Sequence, residues 1–132
     1  MISVDTNILA RVILDDDEKQ SKISKKFLLE HAQKGDLYIS SYVVLELAWL
    51  LKSKAFTKQK IIEILDKIIH LQGADIGNRH ILIAALDLYA KHNVSFADCL
   101  ITMDGKLAKG AETATFDRVL CKASSLCDMP SA

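Results

Sequence analysis

The chain has 132 residues, half of them hydrophobic, with 17 Lys+Arg against 17 Asp+Glu. That length holds one ordinary domain and a substantial core, so a single domain over 1–132 is expected. A formal net charge of zero excludes a surface that is one large nucleic-acid footprint, though not a local basic rim.

Ile2 to Val4 is a short apolar run ending at Asp5-Thr6-Asn7, the pattern of a buried strand followed by a helix cap, with Thr6 or Asn7 as the capping residue. Ile8 to Leu14 reads as a short helix, broken by the acidic run Asp15 to Glu18. Ser21 to Lys34 carries Ile23, Phe27, Leu28 and Ala32 at near-helical spacing before Gly35. Leu37 to Ile39 is a second strand, and Ser40 or Ser41 can cap a helix that runs to about Lys54. Thr57 can cap another, with Ile61, Ile62, Leu65, Ile68, Ile69 and Leu71 on its apolar side and Gly73 at its end. Ala74 to Ile76 is a weak third strand. Arg79 to His92 and Ala97 to Lys109 are helices, the second containing an Asp104-Gly105 turn signal. Glu112 to Phe116 reads as a fourth strand, and Ser124 to Ala132 as a loose tail.

Short strands separated by helices predict an α/β chain with a parallel sheet, whose site lies outside the carboxyl ends of its strands. No apolar run approaches the roughly 18 residues of a membrane span. Met1-Ile-Ser-Val-Asp5 lacks the basic start and apolar core of a signal peptide, so a cytoplasmic chain is expected. Cys99, Cys121 and Cys127 form no Cys-x-x-Cys and no even set, so buried or incidental thiols are expected rather than a disulfide or zinc site.

Four acids stand at strand ends or in apolar stretches. Asp5 closes the first strand, as either a helix cap or a ligand. Glu46 is the single charged residue from Val43 to Leu51 and calls for a basic partner, a metal or a raised pKa. Asp98 sits in an apolar stretch near a helix start, where an acid also suits the helix dipole. Asp117 repeats the logic of Asp5. The parallel sheet should bring Asp5 and Asp117 to one edge, with Glu46 and Asp98 on helices starting from it. Carboxylates gathered this way repel unless a hard divalent cation such as Mg²⁺ or Mn²⁺ joins them. His31, His70, His80 and His92 show no metal-type pairing.

Val4-Asp5-Thr6-Asn7, the Glu46 helix, Phe96-Ala97-Asp98 and Thr115-Phe116-Asp117 together resemble the PIN-domain nucleases, closest to the ribonuclease toxins of VapBC-type toxin–antitoxin pairs. The resemblance spans Ile2 to about Leu120. It implies a three-layer α/β/α fold with a central, mainly parallel sheet of four to five short strands. It also implies Mg²⁺- or Mn²⁺-dependent RNA cleavage, an antitoxin partner and a homodimer. Asp5, Glu46 and Asp98 match the principal metal ligands and Asp117 the fourth acid. Thr6 and Thr115 match the small hydroxyl positions that orient them. Val119 stands where many relatives carry a second acid, and the family's final strand is poorly visible after Cys121.

Metal-assisted hydrolysis would activate a water rather than the RNA 2′-hydroxyl, leaving 5′-phosphate and 3′-hydroxyl ends. Arg11, Lys52, Lys54, Arg79 and Arg118 are candidates for the basic rim an RNA backbone needs. The apolar helical pair from Ser41 to Leu71 could serve the core alone or also a second copy. A phosphoacceptor receiver domain would need an acidic pair directly after the first strand, and Asp15-Asp16-Asp17 lies too far past it. A haloacid-dehalogenase-like phosphatase would need an acid where Asn7 stands. No Gly-rich phosphate loop is present. The alternative to a nuclease is a non-catalytic module of the same fold that binds RNA or protein.

Overall fold

Leu37 and Ile39 are fully buried in the middle strand of a parallel sheet, and that strand organises the molecule. The computed structural model describes residues 1–124 and 127–131. Strand β1 (Ile2–Ser3) pairs in parallel with β2 (Leu37–Ile39), Ile2 facing Leu37. Strand β2 pairs in parallel with β3 (Ala74–Ile76), Ile39 facing Ile76. The chain between these strands is helical: α1 (Thr6–Leu14), α2 (Glu18–Lys34), α3 (Ser41–Ser53) and α4 (Lys58–Ile69). Beyond β3 follow α5 (Arg79–Lys91), α6 (Phe96–Lys109), β4 (Thr113–Ala114), α7 (Arg118–Ala123) and β5 (Cys127–Asp128).

The helices start where polar side chains can close their first turns. Asp5, Asp17, Ser40, Thr57, Ser95 and Asp117 each accept a backbone N–H two or three residues ahead, removing one of the unpaired donors at a helix start. Asp5 itself caps α1, not Thr6 or Asn7. The Asp104-Gly105 pair does not interrupt α6, which continues to Lys109 and ends at Gly110. Helix α4 ends at Ile69, before Gly73. Gly73 has φ +86° and lies so close to the Ala32 carbonyl that a side chain there would collide with it.

The expected α/β class, with helices around a parallel sheet, is what the chain adopts. The five strands, however, do not share one sheet. Strand β4 pairs with β5 in a separate parallel ribbon. The ribbon also replaces part of the expected tail, of which Ser125, Leu126 and Ala132 lie outside the described residues. Cys121 of α7 and Cys127 of β5 are joined as a disulfide, their Cα atoms 4.9 Å apart. This corrects the expectation of incidental thiols: α7 and β5 hold the two Cα atoms within bridging reach. Cys99 is buried and free.

Helix α3 is central, packing against α1, α4 and α6. Val44, Leu47 and Leu51 on one of its sides are fully buried, together with Leu65, Ile69 and Leu82 from its neighbours. The Leu and Ile residues of α3 and α4 thus serve chiefly the core, while Tyr42 and Trp49 point outward.

Candidate active site

Parallel pairing puts the carboxyl ends of β1 and β2 on the same edge of the sheet, so Asp5 and the start of α3 emerge together. Asp5 caps α1 through Oδ1, which accepts the Ile8 N–H at 3.2 Å. Its neighbour Thr6 donates its hydroxyl to Oε1 of Glu46 at 3.0 Å, bridging α1 to α3. Asp5, Thr6 and Glu46 line one groove of about 300 Å³ with Asn7, Trp49 and Leu50.

Glu46 is exposed, on the side of α3 that also carries Tyr42 and Trp49. Its apolar surroundings in sequence are therefore split, the buried residues facing inward and Glu46 facing the groove. The partner it makes is a hydroxyl, not a basic residue. Among the described residues, none of Asp5, Glu46, Asp98 or Asp117 is in an ion pair. The groove lining holds two carboxylates and no cationic side chain.

Asp98 stands in the first turn of α6, half-buried, its N–H donating to Ser95 Oγ at 3.1 Å. Burial, and secondarily the charge of Asp98, push the adjacent Cys99 thiol up to about 11. Asp117 caps α7: Oδ1 accepts the N–H groups of Val119 at 2.9 Å and Leu120 at 3.2 Å. Its own N–H donates to Thr115 Oγ1 at 3.0 Å. Strand β4, which leads to Asp117, pairs with β5 and not with the strands of the main sheet. Neither Asp98 nor Asp117 lines the Asp5–Glu46 groove. Among the described residues, no three His, Cys, Asp or Glu side chains form a ready-made metal cage.

A hard divalent cation still fits the groove. Mg²⁺ is commonly held by one or two carboxylates, the rest of its shell being water and substrate phosphate. Asp5 and Glu46 supply oxygen donors without a competing protein cation.

The basic candidates separate. Lys52 lies one turn beyond Trp49, exposed and in no ion pair among the described residues. Lys54 is the exposed C-cap of α3, and Arg118 is exposed at the start of α7. Arg11 pairs with Asp16 at 3.1 Å. Arg79 is committed to structure, donating to the carbonyls of Ile69 at 2.9 Å and Ala74 at 3.0 Å. Trp49 belongs to none of the motifs that mark the acids in the sequence; its one signal there is an aromatic three residues after Glu46, on the same helical side.

The PIN-domain family profile matches residues 2–126. The chain belongs to the PIN-domain family. The matched span of this PIN domain contains all four acids. A protein named VapC ribonuclease from Aquifex aeolicus (strain VF5) is 26% identical over 117 residues, covering 87% of this chain and 86% of that protein. No solved structure matches the chain. Among the described residues of this PIN domain, no helix is long and apolar enough to cross a membrane.

Proposed function

We propose that this PIN-domain chain is a divalent-metal-dependent endoribonuclease, the toxin of a toxin–antitoxin pair. The observation that carries this is the Asp5–Thr6–Glu46 unit at the carboxyl edge of a parallel sheet, two carboxylates in one groove without a protein counter-charge. Family membership and the likeness to a VapC ribonuclease support the same assignment.

Asp5 and Glu46 would hold Mg²⁺ or Mn²⁺, and in the family pattern Asp98 and Asp117 add to the acid set. When bound, such an ion polarises a phosphate and lowers the pKa of water. Thr6 restrains one Glu46 oxygen, and the Ile8 N–H restrains one Asp5 oxygen, so both carboxylates are oriented before substrate arrives. Attack by water in place of the RNA 2′-hydroxyl gives 5′-phosphate and 3′-hydroxyl ends. The partners in this proposal are an RNA substrate, a proteinaceous antitoxin and a second copy of the chain. The second copy would pack where Tyr42 and Ile101 are exposed beside one cavity.

A second possibility, a module that binds RNA without cutting it, is favoured by the separation of Asp98 and Asp117 from the groove. Cleavage of a mixed RNA panel in Mg²⁺, Mn²⁺ or EDTA separates the two. A nuclease cuts only with metal, leaves 5′-phosphates, and loses about 100-fold or more of its rate in Asp5→Asn. Cyclic 2′,3′-phosphate ends, or equal cleavage by the variant, would overturn the assignment. Metal and RNA binding without turnover would favour the binding module.

A further inference from the structure

Trp49 is 72% exposed, and what sets it apart from the chain's other exposed aromatics is its place between two cavities. It stands on the boundary between two cavities. One is the acidic groove with Asp5 and Glu46. The other, of about 400 Å³, is lined by Lys52, Lys58, Tyr89, Asn93 and Phe96 among others, and by no carboxylate. The two basins that share Trp49 are therefore opposite in charge.

We propose that Trp49 is a base-stacking platform for single-stranded RNA. The nucleotide beside the cleaved bond lies on its ring, and the next stretch of backbone follows into the lysine-lined cavity. This deepens, and rests on, the RNA-cleaving function proposed above. Glu46 and Trp49 are separated by about 4.5 Å of helix rise, so one nucleotide can reach both. Lys58 is held in place by donating to the His92 carbonyl at 2.6 Å, with its ammonium 4.7 Å from the centre of the Tyr89 ring. Tyr89 is braced edge-on by Phe96, their ring centres 5.8 Å apart. Lys52 has no ion-pair partner among the described residues, leaving its charge available to a phosphate. An aromatic ring between a carboxylate one turn before it and a lysine one turn after it suits a nucleotide, which is flat and apolar at its base and anionic at its backbone. A purely apolar protein surface would leave both charges unpaired.

Trp49 is the chain's single tryptophan, so intrinsic emission reports this position alone. The test titrates the protein with a short single-stranded oligoadenylate in EDTA, where no metal-dependent cleavage interferes. Emission should be quenched, and a duplex of matched length should quench it far less. By anisotropy of labelled RNA, Trp49→Ala should bind about 5- to 100-fold more weakly, with Trp49→Phe recovering part of the loss. In Mg²⁺ the Trp49→Ala loss should fall on KM rather than kcat. Unchanged emission at saturating RNA, or unchanged KM in Trp49→Ala, overturns the platform. So does an emission shift produced by raising protein concentration without RNA, which would mean a second copy covers the ring. Absence of cleavage by the wild type strikes the nuclease assignment instead, since the EDTA titration still decides whether bases stack on Trp49.

Discussion

One hydroxyl couples the two elements that meet at the groove. Thr6 follows the Asp5 cap and donates to Glu46 at 3.0 Å across a sequence distance of 40 residues. Without it, Glu46 would be an exposed side chain free to sample its rotamers, and ordering it would cost conformational entropy on each binding event. Thr6→Val keeps the shape and removes the donor. It should lower Mn²⁺ affinity, measured by calorimetry, by about 10-fold or more, as for outer partners of metal ligands generally, while Thr6→Ser stays near wild type. Full affinity in Thr6→Val would mean the hydroxyl does not matter, and equal loss in both variants would mean it does not act alone. At this scale the sequence disclosed which acids to examine but not what each one touches. Asp5 and Asp117 do cap helices, so one oxygen of each is already used by the backbone. The apolar stretch around Glu46 suggested a buried charge. The side chain is exposed because a one-dimensional run of apolar residues does not reveal which side of the helix faces out.

Helix α3 separates stability from chemistry by face. Leu47 is fully buried at the centre of the core, while the adjacent Glu46 looks into the groove. Leu47→Ala leaves a cavity where neighbouring helices cannot close, and should cost about 3 kcal/mol. For a domain of this size that lowers the melting temperature by roughly 10 °C. Glu46→Gln should leave the melting temperature nearly unchanged and abolish metal-dependent cleavage. Calorimetric melts and RNA cleavage, run on both variants, check the division; a matching loss of stability in Glu46→Gln would contradict it. The long helices were legible because side-chain caps and apolar periodicity agree over many residues. Strand β4 was legible within Glu112 to Phe116, but β5 and the pairing of the two were not, because a two-residue strand has no period to read and partners are chosen by long-range backbone pairing. The bond between Cys121 and Cys127 depends on where α7 and β5 sit, so spacing alone did not disclose it.

For the molecule as a whole, 17 basic and 17 acidic residues cancel, so no long-range field draws RNA to this surface. Attraction has to be local, and the structure narrows where. Arg11 is neutralised by Asp16 and Arg79 is spent on carbonyls. The lysines at positions 22, 26, 60 and 91 pair with acids one turn away, and Lys25 of α2 pairs with Asp15 at the end of α1. Lys52 and Lys58 are the cations that line the cavity beside Trp49, Lys58 giving one of its three ammonium hydrogens to the His92 carbonyl. Other cations in no ion pair among the described residues, Lys54 and Arg118 included, are not in that lining. Each phosphate neutralised on a single strand contributes a slope of about −0.7 to the dependence of log affinity on log salt. Two contacts therefore predict a slope near about −1.4, shallow for a nucleic-acid-binding protein, with most of the affinity surviving salt because it comes from stacking. Titrations of single-stranded RNA over a KCl series in EDTA measure the slope directly, and Lys52→Ala should reduce its magnitude by about half. A slope of about −4 or steeper would require a wider basic footprint than these two lysines provide. In the proposed function, unequal local charge does what net charge cannot: the acids would gather the cation, the lysines and the tryptophan would gather the strand, and Trp49 marks the line between them.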